Sequence, residues 1–235
     1  MHDFFSSFAL AFELIFSLDK DMIEIIKLSL EVSFTALSIS CVIGLFIGSF
    51  LAVNNFYGKN IIIVIMNALM GLPPVVVGLV VYLYFSRSGP FGWLGILYTP
   101  TAMIIAQTII IIPIITSLSR QILQDLDQEY SEHFESFCLP KYRCMLALIW
   151  DARFSLTTVI LSGFGRAISE VGAVIIVGGN IDHFTRVMTT AIALETSKGD
   201  LPLALALGLV LLIISIFINV IASLIRGLAE KYSYV

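Results

Sequence analysis

The chain has 235 residues, of which 58% are hydrophobic and only 13% charged, against averages of about 45–50% and about 25% in soluble domains. A soluble globular fold is excluded, and so is a disordered chain, which would need far more charge to stay solvated. Thirteen Lys and Arg against 17 Asp and Glu give a net charge of −4 and leave no basic surface for nucleic acid.

A spanning helix takes about 20 apolar residues, so the length admits about five or six spans. That is small for a carrier built from two complete repeats, and implies that a pathway needs a second copy or a partner. In chain order, Phe4 to Leu18 is apolar but short, lacks a basic leader and is interrupted by Glu13. Phe5, Phe8, Phe12, Ile15 and Phe16 recur at helical spacing against Ser6, Ser7, Glu13 and Ser17, which predicts a helix lying in the membrane interface within an N-terminal segment 1–27. Five runs then predict spans at about 28–53, 61–85, 100–119, 154–177 and 203–225, with a tail over 227–235. Turn residues separate them, among them Asn54, Asn55 and Gly58, then Ser88, Gly89 and Pro90, and a final loop running from Gly178 to Pro202.

An N-terminus outside the cell places Lys59, Arg120, Lys141, Arg143, Arg153, Arg226 and Lys231 in the cytoplasm, against Lys20, Lys27, Arg87, Arg186 and Lys198 outside. Seven against five follows the positive-inside bias. The expectation is therefore a multi-pass membrane protein, with the N-terminus outside and the C-terminus cytoplasmic.

Within the second predicted span stands Gly71-Leu72-Pro73-Pro74. Consecutive prolines remove two backbone donors and clash with the preceding turn, so the helix must kink or break, either as a pathway or gate element or as a packing kink. Gln107 and Pro113 repeat the theme more mildly in the third span. In the fourth, Gly165, Ser169 and Ala173 form a row of small residues at four-residue spacing that lets helices approach closely, across a dimer included. Arg166 and Glu170, four apart on the same helix, can pair along one side. Intramembrane charge marks a candidate site; Arg166 attracting an anion with Glu170 holding it, or a self-neutralised structural pair, both satisfy the pattern.

The polar segment 120–151 places Leu123, Leu126, Tyr130, Phe134 and Phe137 on one helical face, opposite Asp125, Asp127, Glu129, Glu132 and Glu135. Pro140 then starts a second helix carrying Lys141 and Arg143, making a helix-turn-helix at the cytoplasmic surface that is open to a partner. Cys41, Cys138, Cys144 and His133 do not make a metal-binding spacing, and no metal site is predicted. A phosphate loop GxxxxGK[ST] is absent from the sequence, as are the constellations that catalysis needs. The chain is expected not to be an enzyme, and any ATP is hydrolysed on another polypeptide.

The strings "MGLPPVVVGLVVYLYFSRSGPFGWLG" from Met70, "GFGRAISEVGAVIIVGGNI" and "TRVMTTAIALETSKGDLPLALALG" resemble the permease subunit of ABC importers of the molybdate, tungstate and sulfate group. The likeness runs over nearly all of residues 28–226 and is nearest to the tungstate type, since Ser169-Glu170-Val171-Gly172-Ala173 stands where molybdate permeases usually read Gly-Glu-Phe-Gly-Ala. The resemblance implies an all-α integral membrane protein with a five-span permease core, acting as a homodimer with a pair of ATPase subunits. It also implies an extracytoplasmic oxyanion-binding protein and import of a tetrahedral oxyanion by alternating access. Molybdate, sulfate or another small solute is the alternative cargo, and a non-transporting scaffold the alternative role. No cofactor is expected in this chain, because ATP and Mg belong to the ATPase.

The interrupted and charged spans are expected to supply the pathway or gate, at Pro73, Pro74, Gln107, Arg166 and Glu170, with segment 182–200 as docking surface and outer gate. The resemblance, which implies the bacterial inner membrane as location, places ATPase coupling at Glu129, Glu132, Phe134, Cys138, Pro140, Lys141 and Arg143. Of the family's Glu-Ala-Ala and Gly coupling pattern only Glu132 survives; Phe134 and Cys138 replace the second Ala and the Gly. Because Cys138 cannot take positive φ cheaply, Pro140 is expected to replace it as the turn-maker.

Overall fold

The computed structural model describes residues 10–15 and 20–233, with side chains described as far as Leu224. Residues 10–15 are helical; most of the interfacial helix expected at Phe4 to Leu18, and the tail charges Arg226 and Lys231, lie outside the described residues and side chains. The helices that follow are α1 Lys20–Val53, α2 Lys59–Met70, α3 Pro74–Phe85, α4 Pro100–Ser136, α5 Lys141–Asp151, α6 Arg153–Ile168, α7 Gly172–Gly178, α8 Met188–Lys198 and α9 Leu201–Ser233, with a short 3₁₀ turn at Gly92–Leu94. No strand occurs among the described residues, as expected for an all-α protein. Three helices (α1, α4 and the Leu201–Leu224 part of α9) are long and apolar enough to cross a membrane, and the number rises to five if each of two bent helix pairs counts as one span.

By internal contacts the chain forms two compact units. One takes Met1–Thr35, Pro73–Gln107 and Ala167–Asn219; the other takes Ala36–Leu72, Thr108–Arg166 and Val220–Val235.

The second unit is built on a close approach of α1 to α4. Gly44 and Gly48 stand four apart on α1, and a Cβ at Gly44 would lie 2.8 Å from Ile115 Cβ, while one at Gly48 would run into Ser119 Oγ and lie 2.9 Å from the Thr116 carbonyl oxygen. Only glycine allows this contact, the small-xxx-small device of membrane helices. Gly163 of α6 meets the same α4 face, where a Cβ would lie 2.8 Å from Ile115 Cδ1.

At 37 residues and about 1.5 Å rise per residue, α4 is about 55 Å long. Neither Pro nor Gly stands between Ile114 and Leu139, so nothing stops the helix at Arg120, and it runs on into the polar segment. Pro113 lies within α4 without ending it, a milder effect than that of the double proline.

The helix-turn-helix expected over 120–151 is present, but Pro140 is not its turn-maker. Cys138 itself takes φ +49°, the conformation expected to be too costly. The Leu139 amide donates to the Phe134 carbonyl (3.1 Å) and the Cys138 amide to that of Glu135 (3.0 Å). This is a Schellman termination with Cys138 at the left-handed position, and its bonds hold the cysteine where glycine is the easy choice. Pro140 is the N-cap of α5. Two lysines then tie this region to the end of α1: Lys141 Nζ donates to the Val53 carbonyl and Lys59 Nζ to that of Ala52, each at 3.4 Å, placing positive charge where a helix has its negative pole. Tyr130 donates to Asp151 Oδ2 at 2.9 Å, joining α4 to the end of α5.

A left-handed non-glycine residue costs roughly 1–2 kcal/mol. Cys138→Gly should therefore raise stability by up to about 1 kcal/mol, and Cys138→Val lower it by a similar amount, read as opposite shifts in the melting temperature of the purified protein.

Candidate functional site at an interrupted helix

Two interruptions shape the first unit. At the first, α2 ends at Met70, Pro73 takes an extended conformation (φ −63°, ψ 124°) and Pro74 opens α3 as its first residue. The prolines therefore break the helix and start a new one. Proline at the first helical position lacks an N–H that would have had no intrahelical acceptor anyway.

The second interruption overturns the single helix expected over 154–177. α6 ends at Ile168, residues 169–171 are non-helical, and α7 begins at Gly172. Arg166 sits in the last turn of α6 and Glu170 in the break, so the two do not stand on one continuous helix. The small-residue row is divided as well. Gly165 and Ser169 are exposed, and a Cβ on Gly165 would meet nothing within 4 Å. Ala173 is buried, and its Cα would lie 2.8 Å from a Cβ on Gly78. α3 and α7, the pieces that follow the two breaks, thus pack on each other, and Ala173 belongs to that intrachain contact rather than to a dimer face.

A broken helix leaves unpaired carbonyls at one end and amides at the other, a serious cost away from water. Here side chains from three elements meet that cost. Gln107 of α4, 4% exposed, donates from Nε2 to the Ala167 carbonyl at 3.1 Å. Thr189 of α8 donates from Oγ1 to the Glu170 carbonyl at 2.8 Å. Glu170, 5% exposed, accepts the Ala173 amide on Oε1 at 3.1 Å, capping α7 with its own carboxylate, where negative charge is favoured.

The expected loop 178–202 accordingly contains a helix, α8, seated on α1. Its Met188 amide donates to Ser29 Oγ at 2.7 Å, and the Val187 amide to Thr190 Oγ1 at 3.1 Å. Ser29, Ser33, Gln107, Glu170 and Thr189 share a cavity of about 10 Å³, room for about one water. Gln107 Oε1 finds no protein donor.

Segment 182–200 therefore has two parts: the buried face of α8, and an exposed loop before it. In that loop His183 Nδ1 lies 2.9 Å from Glu24 Oε2 of α1, and Arg186 Nη1 lies 2.8 Å from Asp182 Oδ1. The hydrogen bond to Glu24, with the charge of Asp182, holds the His183 imidazole above its usual range.

Among the described residues, no group of three or more His, Cys, Asp or Glu side chains is placed to hold a metal ion. Sequence reading named Gln107 and Glu170 as pathway groups and did not single out Ser29 and Thr189. Ser and Thr spaced along apolar helices were the available signal, because they recur where backbone needs a partner.

These features define a polytopic membrane protein with an interrupted intramembrane helix stitched by polar side chains. The family model "Binding-protein-dependent transport system inner membrane component" matches residues 44–231. The "Tungstate uptake system permease protein TupB" of Peptoclostridium acidaminophilum is 42% identical over 214 residues, 91% of this chain and 94% of that protein. A "Probable anion ABC transporter permease protein" of Haloferax volcanii is 39% identical over 87% of this chain and 90% of its own. The protein named TupB in Campylobacter jejuni is 35% identical over 92% and 91%. The chain belongs to the family of inner-membrane components of binding-protein-dependent transport systems. It is an ABC transporter permease subunit, a class that works with a separate ATPase and a substrate-binding protein.

Glu170→Ala should cost about 0.5–2 kcal/mol through the lost cap, seen as a lower melting temperature, whereas Glu170→Gln, whose amide oxygen still accepts, should retain most of that stability. The His183–Glu24 contact has a fixed pH sign, because a raised folded value means its stabilisation is complete below the unfolded value of about 6.5 and is lost as pH rises through the folded one. NMR titration of His183 should give a midpoint above 6.5 that falls in Glu24→Gln.

Proposed function

We propose that this chain is the permease of a tungstate importer. The observation that carries the proposal is its 42% and 35% identity, over more than nine-tenths of the chain, to two proteins named tungstate uptake permeases. More distant similarity to a sulfate transport permease of Escherichia coli, 27% over 82% of this chain, and to a molybdenum transport permease of Haemophilus influenzae, 24% over 72%, keeps sulfate and molybdate as the competing cargoes.

In this reading two copies form the pathway, with the N-terminus outside and the Cys138 turn in the cytoplasm. Gly165 and Ser169, exposed in the single chain, are the small residues offered to the second copy; Ala173 is already used. The bond from the Ala173 amide to Glu170 supports a structural role for that carboxylate, so the anion-attracting role falls to Arg166, half-buried in the last turn before the break. Pro73, Pro74 and Gln107 shape the gate through backbone geometry rather than by binding cargo.

The exposed face around Glu129, Glu132, Cys138 and Pro140, with Phe134 half-buried beneath it, docks on the ATPase. The Schellman turn supports this role, because it retains the tight reversal that the loop needs even though most of the family's residues there are replaced. Import of a dianion then follows from ATP-driven bias between outward- and inward-open states, with affinity supplied by the extracytoplasmic binding protein.

Cells expressing the permease with its ATPase and binding protein should accumulate tungstate, measured by mass spectrometry of cell metal. A tenfold excess of sulfate should leave uptake nearly intact, and sulfate block without tungstate block would reverse the cargo assignment. Arg166→Ala should reduce uptake at least tenfold while the complex still assembles; full uptake would remove Arg166 from the pathway.

A further inference from the structure

The second unit carries a further feature beside the turn at Cys138. Between α1 and α5 runs an apolar groove of about 420 Å³, lined by Cys41, Val42, Leu45 and Phe46 on one side and by Tyr142 and Leu146 on the other. α5 buries Cys144 and Leu148 on its inner face, yet it also presents a second apolar face, with Tyr142 58%, Leu146 63% and Trp150 72% exposed. A short helix with one face in protein, another face apolar and open, and basic residues at its ends has the composition of an interfacial element.

Those basic residues are placed for an anion. Arg143 is exposed, and its Nε donates to the Tyr142 hydroxyl at 3.0 Å, which sets the guanidinium at the polar end of a groove-lining ring. Lys141, also exposed, stands one turn-start away and donates to the Val53 carbonyl. At the far end of α5, Arg153 lies over the Trp150 ring at 4.9 Å. Tyr and Trp are enriched at the membrane–water boundary.

An inserted helix is about 10–12 Å across, so even three turns would need far more than this volume; a single extended hydrocarbon chain suits it. We infer that the α1–α5 groove is a binding site for an anionic phospholipid, with an acyl chain between Phe46 and Leu146 and the headgroup phosphate on Arg143 and Lys141. The site rests on the chain's being membrane-embedded, and on neither the cargo nor the orientation, so failure of the tungstate assignment would leave it standing.

The test is native mass spectrometry of the full-length permease co-purified with its ATPase in detergent, titrated with phosphatidylglycerol and with phosphatidylcholine. One phosphatidylglycerol per permease chain should be retained in preference to phosphatidylcholine. Arg143→Gln, at an exposed position, should weaken the phosphatidylglycerol adduct about five-fold, the effect of one basic residue at an anionic surface, without changing phosphatidylcholine. Leu146→Trp, which fills the groove from an exposed position, should remove both adducts. Equal retention of the two lipids, retention unaffected by both variants, or no retained lipid because the ATPase or a second copy covers the groove would each overturn the inference.

Discussion

The constraint on which the first unit depends is that a backbone polar group in hydrocarbon has no water to turn to. An uninterrupted helix meets that constraint by itself, and much of this chain does so. The interruption at residues 169–171 does not, and its carbonyls and amides are met by Gln107, Thr189 and the carboxylate of Glu170. α8 is held by the same rule, since its first amide finds Ser29. These four polar side chains are each less than a tenth exposed, and their positions follow from the break they serve.

The two interruptions solve one problem in opposite ways. At Pro73 and Pro74 the donors that would have been orphaned are removed from the covalent structure, so few side-chain partners are needed. At 169–171 the backbone groups remain, and side chains are brought to them: donors from Gln107 and Thr189 to the carbonyls, and the Glu170 carboxylate to the Ala173 amide. The second solution can be altered by moving a neighbour, because two of its three partners lie on α4 and α8 rather than in the break itself. That makes it the better gate of the two in the proposed permease role, where the Glu170 carboxylate caps α7.

Much of the architecture was legible in sequence. Long apolar runs, the double proline and the amphipathic pattern of 120–137 each reflect a local cause, and each appears as an element or a break. What misled was the stretch 154–177, where apolar residues continue across a real interruption. Ser169-Glu170-Val171 contains neither proline nor glycine, so no local signal marks the end of α6. The break exists because Gln107 and Thr189, remote in sequence, make it affordable, and periodicity is blind to remote partners. The same blindness hid α8, which begins at Met188 after the unremarkable Val187 and takes its first acceptor from α1. Cys138 misled in the reverse sense: its residue type argues against a left-handed turn, and a pair of backbone hydrogen bonds outweighs it.

Those bonds bear on how ATP hydrolysis elsewhere would be felt by the permease. The Schellman turn closes directly on α4, the helix that also carries Gln107, with Pro113 between the two. Lys141, Lys59 and the Tyr130–Asp151 bond keep the turn and α5 from yielding locally. In the proposed mechanism, the turn that would dock on the ATPase and the residue that holds the Ala167 carbonyl belong to one helix, so the chain itself joins the two.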